Sequence, residues 1–448
     1  MNKIKYLLPL VFAVFFFASG LTAQQSYTVN EAIDYAVKNH ANVKNANLDI
    51  LNASARVSEI KAMGLPHLNS NVNYTNNFQI ARVFLPAKTF DPTAKEGDVI
   101  AAKFGVAHSG NAGISLSQLI FDGSYTLGLR AADVYKELST KTLVQTKQQI
   151  AENVAKAYYA ILVNDERIKL LQTNIGRLDS LIRDTKAMNV QGFVEKLDVQ
   201  RLEVQANNLK TETKNIERLQ ELGQYLLKFQ MGLNIEEPIT LKDKLSEISI
   251  NEIQPSELNE FKYASRMEYS ILQTQQRLAE LDLKNQKATA LPRVTLNGNY
   301  GYNTGRPGFS DLITKPWFSN GNLGLGVQIP IFDGFARKYK TIQSENNLQK
   351  LKNSYSLLEN TIDMQIKQAN ISLKNSWESL QENQKNMDLA KEIVRVSKIK
   401  YKQGVGTNLE VLNAEAALKE SQTNYFTSLY NALIAKVDLD KAQGKLYN

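Results

Sequence analysis

The sequence predicts a mainly α-helical chain with a smaller β-sheet part, arranged as two tandem copies of the order helix, strand, strand, long helix, helix. Three features predict this architecture: a tetrapeptide that occurs twice, short segments in which apolar and polar residues alternate, and two long segments without proline. Hydrophobic residues make up 43% of the 448 residues, so the chain can bury a sizeable core. The net charge of +8 is spread along predicted helices in which the sign alternates. Because this pattern is typical of solvated helix faces, no nucleic-acid partner is expected.

The two copies are recognised by the tetrapeptide and by later matches at a nearly constant offset. Ile-Phe-Asp-Gly occurs at residues 120–123 and again at 331–334, which is an offset of 211 residues. The later matches, all at an offset of 212 residues, are Gln191-Gly192 with Gln403-Gly404, Leu197 with Leu409, Val199 with Val411, and Gly232 with Gly444. Such a constant register indicates an internal repeat. We place the two copies at residues 24–232 and 256–448, joined by a linker at 233–255.

Residues 1–23 are predicted to be a secretory signal peptide. Lys3 and Lys5 precede an apolar run that begins at Tyr6, and small residues follow up to Ala23. A retained membrane anchor is the alternative, but the apolar run is shorter than the ~20 residues that a spanning helix needs. The chain has no cysteine, which excludes a disulfide framework and a lipid on an N-terminal cysteine.

Each copy is predicted to begin with a helix of moderate length and to continue with a β-hairpin. The helices cover about 30–63 and 256–288, and the hairpins cover about 67–121 and 293–332. Apolar residues in the hairpins alternate with Asn, Ser, Thr and Gly, which predicts a sheet with one apolar and one polar face. The apolar faces either meet in a soluble sandwich or contact lipid, since about ten tilted residues cross a hydrocarbon layer of ~25 Å. Four strands cannot close a membrane barrel, so the lipid interpretation requires an oligomer.

Two long helices are predicted at about 124–188 and 335–403, because neither segment contains proline. At 1.5 Å per residue, each would be about 100 Å long. Their apolar residues recur in alternating steps of four and three, from Ile150 to Ile182 and from Ile362 to Val394, which indicates coiled-coil packing. A glycine-containing turn follows each long helix. The helices that return after these turns are predicted at about 194–232 and 408–444.

The order and spacing of these elements resemble the TolC-like outer-membrane efflux protein family across essentially the whole chain after residue 23. The resemblance is carried by the twofold repeat, by the junctions of strand, tetrapeptide and long helix, and by the tip sequence Gly404-Val-Gly-Thr-Asn-Leu-Glu-Val-Leu-Asn413. The segment Tyr27-Thr-Val-Asn-Glu-Ala-Ile33 is also similar to the start of the family's chains.

The resemblance implies a homotrimer in the outer membrane of a Gram-negative bacterium, with a twelve-stranded β-barrel joined to a long periplasmic α-helical barrel. It implies a passive exit duct for tripartite efflux or type I secretion, without a cofactor. Such a duct receives substrates from a periplasmic adaptor (membrane fusion) protein and an inner-membrane transporter of the RND or ABC type. Residues 233–255 would then belong to an equatorial band around the helical barrel. The transported substrate is not predicted, because the pump selects it.

The resemblance also implies three groups of functional residues. A periplasmic aperture, or gate, would be formed by Asp198, Tyr401, Glu410 and Asn413. Tip loops that contact the adaptor would be formed by Gly192, Phe193, Val194, Gly404, Val405, Gly406 and Thr407. Strand-to-helix junctions would be formed by Phe121, Asp122, Gly123, Phe332, Asp333 and Gly334, with the aspartates capping the helix starts.

The aperture departs from the family pattern at one position. Family members narrow this end with acidic residues after the second tip turn; Glu410 matches one of them, whereas Asn413 stands where a second acid is usual. Asp198 matches an aspartate of the bonds that hold the tip closed, with Tyr401 as a candidate partner. A threefold axis would make Glu410 a ring of three carboxylates that favours cations. The alternative is that Asp198 and Glu410 only stabilise the N-termini of their helices.

Enzymatic activity is not expected. The histidines, His40, His67 and His108, are far apart in sequence and lack the spacing of metal ligands. The glycine-rich segment 320–326 lies in an alternating strand and is not followed by the lysine of a phosphate-binding loop. A structural coiled-coil or adhesion protein of the cell envelope is the alternative to a channel. The outer loops, about 77–111 and 303–321, are expected to be polar and irregular and to cover part of the exit.

Overall fold

The computed structural model describes residues 25–245, 254 and 261–447. The predicted signal peptide and much of the region 246–260 therefore lie outside the described residues. The chain forms two compact units. The helical unit comprises Met1–Lys44, Gln145–Ser265 and Ile362–Asn448, and the sheet unit comprises Asn45–Val144 and Arg266–Thr361. These units do not coincide with the two sequence repeats, because each repeat contributes residues to both.

The elements follow the predicted order in each repeat. The helices are α1 (Val29–Asn39), α2 (Ala41–Ala62), α3 (Gly123–Val190), α4 (Lys196–Met231), α5 (Met267–Ala288), α6 (Phe309–Thr314), α7 (Ala336–Lys402) and α8 (Asn408–Ala442). The strands are β1 (Gln25–Tyr27), β2 (His67–Asn76), β3 (Arg82–Pro86), β4 (Val99–Lys103), β5 (His108–Asp122), β6 (Ile239–Leu241), β7 (Arg293–Arg306) and β8 (Phe318–Gln328). The long helices α3 and α7 contain 68 and 67 residues, and α2 and α5 contain 22 residues each. The prediction of a mainly helical chain built from two repeats is confirmed.

The sheet unit is built around one antiparallel sheet of the order β2-β5-β7-β8. Its register aligns the apolar residues of the four strands on one face, where one row reads Leu68, Leu116, Gly298 and Leu323. This apolar face is exposed within the chain, since Leu68 and Leu323 are 70% and 71% exposed. The predicted alternation is therefore confirmed, and the soluble-sandwich interpretation is wrong for the described residues, because the apolar face is not covered by a second sheet.

The opposite face of the same sheet is polar. Apart from Leu119 near the end of β5, its residues between the strand ends are Asn, Ser, Thr and Gly, and amides pair across neighbouring strands. Asn71 Nδ2 donates to Asn111 Oδ1 at 3.2 Å, and Asn299 Nδ2 donates to Asn322 Oδ1 at 3.2 Å. Amides remain costly to bury in hydrocarbon unless all of their hydrogen bonds are made, so this face suits contact with water.

The seam predicted for the long helices is buried in the helical unit. Val154 and Ile161 of α3 are 0% and 2% exposed, and Ile362 and Leu373 of α7 are 1% exposed each. The returning helix α4 packs on α3 through a cluster that includes Leu202, which is fully buried. The heptad prediction is thus confirmed as the packing of long helices. Within the described residues, no helix combines the length and the apolar composition needed to cross a membrane.

The first predicted helix, about 30–63, is in fact two helices. α1 ends at Asn39, and His40 adopts an extended backbone (φ −61°, ψ 136°) before α2 begins. The break lies where the end of α4 approaches, since a Cβ on Gly232 would lie 3.0 Å from the Cα of His40. The His40 Nδ1 accepts a hydrogen bond from the backbone N–H of Asn42 at 3.1 Å. The prediction missed the break because no glycine or proline marks it.

The second tetrapeptide does not join a strand directly to a helix, as the sequence had suggested. β8 ends at Gln328, and α7 begins only at Ala336. The backbone turns through Gly334 and Phe335, which have φ values of 63° and 69°. β8 is an edge of the sheet, so it has a ladder partner on only one side to keep the following residues extended.

The outer loops are more ordered than predicted. The loop after β2 contains the antiparallel hairpin of β3 and β4, and the loop after β7 contains α6. The hairpin is also not uniformly polar, because Phe84 and Val99 are 69% and 63% exposed. Its strands have five residues each, which is too short for alternation to give a clear signal in the sequence.

Candidate functional site

At the first junction, β5 continues into α3 without connecting residues. Asp122 Oδ1 accepts a hydrogen bond from the backbone N–H of Ser124 at 2.8 Å and caps the helix start. A Cβ on Gly123 would lie 2.5 Å from Leu291 Cδ1 and 3.1 Å from the carbonyl oxygen of Ala288, so glycine lets the chain after α5 pack closely on the start of α3. Phe121 lies beside this turn and is 48% exposed.

At the second junction, an aspartate makes the same kind of contact through a longer connection. Asp333 Oδ2 accepts hydrogen bonds from the backbone N–H of Arg337 at 3.0 Å and from its Nε at 2.8 Å. Phe332 is 73% exposed and packs edge-on against Phe335, with ring centroids 5.4 Å apart. Gly334 supplies the left-handed backbone that the turn requires.

Two chain reversals form the ends of the helix pairs in the helical unit. Gly192 and Gly404 have φ values of 81° and 74°, a conformation that glycine adopts without strain. The next residue in each reversal, Phe193 or Val405, donates its N–H back to the last turn of the long helix, at 3.0 Å and 3.1 Å. Their side chains are 75% and 78% exposed, so each reversal presents one large apolar group.

The remaining predicted tip residues support these reversals. Thr407 caps α8, because its Oγ1 accepts a hydrogen bond from the N–H of Glu410 at 3.2 Å. A Cβ on Gly406 would lie 2.9 Å from Lys400 Cβ, so the second turn is too tight for a larger residue. Val194 packs against the apolar core between α3 and α4.

Asp198, which the resemblance assigns to the aperture, has a partner that the sequence analysis did not identify. Asn408 Nδ2 donates to the backbone oxygen of Asp198 at 3.0 Å and to its Oδ1 at 3.1 Å. The expected pairing of Asp198 with Tyr401 is not formed in the chain. The Tyr401 hydroxyl lies 3.4 Å from Thr185 Oγ1, and its ring is buried in the core cluster. Asn408, as the first residue of α8, therefore links the starts of the two returning helices.

Glu410 and Asn413 lie one turn apart on α8, and both are exposed. Residues three apart occupy the same side of a helix, so the two side chains face the same surroundings. Glu410 lies in the first helical turn, where a negative charge is favoured. This position agrees with either role considered from the sequence, a carboxylate ring or a helix-terminal charge.

A buried polar network links α3, α7 and α8 and was missed by sequence analysis. Glu415 is 4% exposed, with Lys398 Nζ 2.6 Å from its Oε1 and Arg177 Nη2 3.4 Å from its Oε2. Beside it, Asn174 Nδ2 donates to Gln422 Oε1 at 2.6 Å. These partners are up to 248 residues apart, so no local spacing reveals them.

Comparison with known proteins gives the same fold and family. The model for the family described as outer membrane efflux protein matches residues 32–225 and 267–445, one match in each repeat. Outer membrane protein TolC of Vibrio cholerae serotype O1 is 20% identical over 399 residues, which cover 87% of this chain and 84% of that protein. Outer membrane efflux protein BepC of Brucella suis biovar 1 is 22% identical over 453 residues, covering 97% of this chain and 89% of that protein.

Solved structures of outer-membrane proteins share the fold. VceC of Vibrio cholerae superposes with a TM-score of 0.70 at 16% identity, covering 94% of this chain and 97% of that one. The CmeC outer membrane channel of Campylobacter jejuni superposes with a TM-score of 0.73 at 17% identity, covering 94% of this chain and 86% of that one. Because the family model matches well over half of its residues, the chain belongs to the outer membrane efflux protein family.

Proposed function

We propose that three copies of this chain form one twelve-stranded barrel, continuous with a periplasmic helical tube, and that the assembly is the exit duct of a tripartite efflux or type I secretion system. The family consists of channel proteins of the outer membrane that extend into the periplasm. The proposal is carried by one observation: the four-stranded sheet exposes an apolar face and ends in two strands that lack an outer neighbour among the described residues.

The edges of this sheet explain why one chain is not enough. β2 and β8 each leave a row of backbone donors and acceptors without a strand partner. In hydrocarbon, each unsatisfied group costs several kcal/mol, so the edges must pair. Four strands are too few for a closed barrel, whereas three sheets joined edge to edge supply twelve strands. The polar face would then line the water-filled lumen, and the apolar face would contact lipid.

The helical unit also leaves apolar stripes uncovered in the single chain. On α4, large apolar residues recur at steps of three and four and are 49–62% exposed: Leu219, Leu222, Leu226 and Phe229. On α7, the same spacing relates three exposed residues, Leu389, Ile393 and Val396. Stripes of this width are typical of coiled-coil seams, so they suit packing against neighbouring copies.

The chain reversals supply the surface proposed to meet the adaptor. Phe193 and Val405 project large apolar groups into solvent from two tight turns with tightly constrained backbones. Exposed apolar side chains on a rigid support are typical anchors of protein interfaces. We therefore assign the adaptor contact to the loops that contain these residues, with the inner-membrane transporter as the further partner.

The aperture is proposed to be held by bonds between the returning helices. Asn408 fixes Asp198 within each chain, and the exposed Glu410 would form a ring of three carboxylates around the threefold axis. Opening then requires the starts of α4 and α8 to separate, which breaks the bond between Asn408 and Asp198. Closed, the carboxylate ring would favour cations over anions.

Single-channel recording in planar bilayers tests this function. Purified trimers are expected to give a small cation-preferring conductance. Asp198→Ala is expected to raise it severalfold, because Asn408 then keeps only its hydrogen bond to the backbone oxygen of residue 198 and loses the bond to the carboxylate. Asp184→Ala is the matched control, because it removes an exposed ion pair, 3.2 Å from Lys402, in the same unit. Exposed pairs contribute less than about 1 kcal/mol, so the control should conduct as the unmodified protein does.

Two results would contradict the proposal. If neither the unmodified protein nor Asp198→Ala conducts, the chain is not a channel, and the alternative of a structural envelope protein becomes the better interpretation. If all three proteins conduct equally, Asp198 has no part in the gate. Extraction distinguishes the classes independently, since a barrel requires detergent and a periplasmic rod does not.

A further inference from the structure

The connection between β7 and β8 folds back onto the sheet. The ring of Trp317 lies against Gly110, where a Cβ would be 2.6 Å from its Cη2 atom. The register places Gly110 opposite Tyr74, on the apolar face of the sheet. Because a Cβ at this position points away from the polar face, the connection covers the end of the apolar face. It therefore lies on the side proposed to face lipid rather than over the proposed lumen.

Aromatic contacts hold α6 in this position. The ring of Phe309, the first residue of α6, packs edge-on against Tyr74 and His108, with centroids 5.5 Å and 6.1 Å away. Tyr74 and His108 are themselves joined by a hydrogen bond of 2.9 Å between the hydroxyl and Nδ1. The indole N–H of Trp317 donates to the carbonyl of Leu312 at 2.8 Å. The helix is thus fixed to the sheet at both of its ends.

Charged groups lie at the same end of the sheet. Arg306 belongs to the apolar face by its register with His108, and its Nη2 donates to the carbonyl of Pro316 at 2.8 Å. Lys315 forms an ion pair of 2.9 Å with Asp311 of α6. A guanidinium on a lipid-facing surface is expensive within the hydrocarbon layer, so this end of the sheet is expected at the level of the headgroups.

The outward side of α6 is apolar. Ile313 is 77% exposed, and Phe309, four residues earlier on the same side of the helix, is still 53% exposed although one edge of its ring contacts Tyr74 and His108. Leu312 points to the sheet and is 6% exposed. This six-residue helix therefore buries Leu312, leaves about half of Phe309 exposed and presents Ile313 to the outside, which adds apolar surface at this end of the sheet.

We propose that α6 is an interfacial anchor that lies in the outer leaflet of the membrane, with Phe309 and Ile313 among the lipid acyl chains. The proposal rests on the function assigned above, since it requires the apolar face of the sheet to contact lipid. Three observations agree with a lipid partner. The exposed parts of Phe309 and Ile313 adjoin that face. The rings of Tyr74 and Trp317 lie beside α6, as in the aromatic girdles of membrane barrels. Arg306 and Lys315 lie at the same outer end of the sheet. On this proposal, the connection leaves the exit of the barrel uncovered.

Spin labels at single cysteines test the proposal directly, because the chain contains no cysteine of its own. Ile313→Cys carries the label on α6, Leu325→Cys carries it on the apolar face of β8, and Glu96→Cys carries it in the outer hairpin. Leu325 is 69% exposed, and the Glu96 side chain is 95% exposed. Each protein is reconstituted in liposomes, and collisions of the label are measured with oxygen, which concentrates in lipid, and with a nickel chelate, which stays in water.

The expected order of the oxygen-to-nickel collision ratio is Leu325→Cys highest, Ile313→Cys intermediate and above one, and Glu96→Cys below one. If Leu325→Cys and Ile313→Cys both report water, the proposed barrel fails and the anchor fails with it. If only Ile313→Cys reports water, the anchor alone is wrong. If Ile313→Cys is shielded from both reagents, a neighbouring copy covers α6 instead of lipid, and the proposal is also wrong.

Discussion

At the scale of single residues, side chains near the chain reversals make hydrogen bonds to partners in the other repeat. Asn408 reaches Asp198, and Tyr401 reaches Thr185, across separations of 210 and 216 residues. Both contacts are buried or partly buried, where an unmade hydrogen bond costs about 1–3 kcal/mol. The two hydrogen bonds from Asn408 to Asp198 therefore stabilise the contact between the starts of α4 and α8 by an amount small enough for the helices to separate.

The acidic ring proposed at Glu410 gives the first prediction. Glu410→Gln should reduce the preference for cations, because it removes three negative charges from the narrowest part of the proposed channel. Asn413→Asp should increase that preference, since it adds a second ring one turn along α8. Reversal potentials measured across a salt gradient check both changes.

Glu392→Gln is a suitable control for these measurements. Glu392 is also an exposed glutamate, but it is paired with Arg395 at 2.6 Å, so its charge is largely compensated. Unaltered selectivity in both Glu410→Gln and Asn413→Asp would remove α8 from the selectivity filter. The helix-terminal role of Glu410 would then be sufficient to explain its position.

At the scale of elements, the long and returning helices are joined by ion pairs as well as by apolar packing. The buried Glu415 on α8 pairs with Lys398 of α7 and Arg177 of α3. Glu212 on α4, which is partly exposed, pairs with Arg167 of α3 at 3.1 Å. Buried charges tolerate little displacement, because each depends on the others for compensation. This network therefore fixes how the long and returning helices pack against one another.

Glu415→Ala is predicted to destabilise the protein. It leaves Lys398 and Arg177 without their carboxylate, and because their side chains are 20% and 34% exposed, the cost should lie between the ~1 kcal/mol of an exposed pair and the ~3–5 kcal/mol of a fully buried one. The midpoint of thermal unfolding should fall, as measured by circular dichroism in detergent. Glu382→Ala, which removes an exposed pair with Lys385, should change the midpoint little. Equal midpoints for the two variants would show that the network does not stabilise the helices.

Glu152 gives a prediction for the dependence of stability on pH. Burial raises the pKa of this carboxyl, but hydrogen bonds and charges from Lys156 and Lys441 outweigh burial, so the pKa lies below its ordinary value. A lowered pKa in the folded state contributes stability above the unfolded pKa, which is ~4.3, and this contribution is lost as the pH falls through the folded pKa.

The thermal midpoint should therefore fall as the pH drops below the unfolded pKa and through the lower folded pKa, and it should fall less steeply in Glu152→Gln. The variant should also be less stable than the unmodified protein at pH 7, where the carboxylate is charged. Parallel pH profiles for the two proteins would show that Glu152 makes no such contribution.

The sequence predicted the periodic elements well and the contacts between repeats poorly. The seam from Ile150 to Ile182 and the alternation of β7 were predictable, because both depend on spacing along the chain. The break at His40 was not, because it depends on the approach of Gly232, which is distant in sequence. The partner of Asp198 was missed for the same reason. The aperture and adaptor residues remain predictions, since they concern contacts with other chains.

At the scale of the whole molecule, a channel can form only if neighbouring copies close the sheet into a barrel. The apolar face, the polar face and the two open edges belong to the same four strands, so lipid contact and oligomerisation are one requirement. If a single chain inserted this sheet into a membrane without neighbouring copies, the backbone groups at the outer edges of β2 and β8 would be exposed to hydrocarbon. The apolar stripes on α4 and α7 are exposed to water in a single chain, so they too would be buried by packing against neighbouring copies.

Disulfide trapping of the open edges tests this claim most directly. Because the chain has no cysteine, one cysteine on β2, at Ser70, can be combined in turn with one at each position of β8, from Ser319 to Val327. We expect that one of these pairs of positions gives, on oxidation, single chains, dimers and trimers but no larger species. Cross-linking confined to single chains in every combination, or a ladder that continues beyond three, would contradict it.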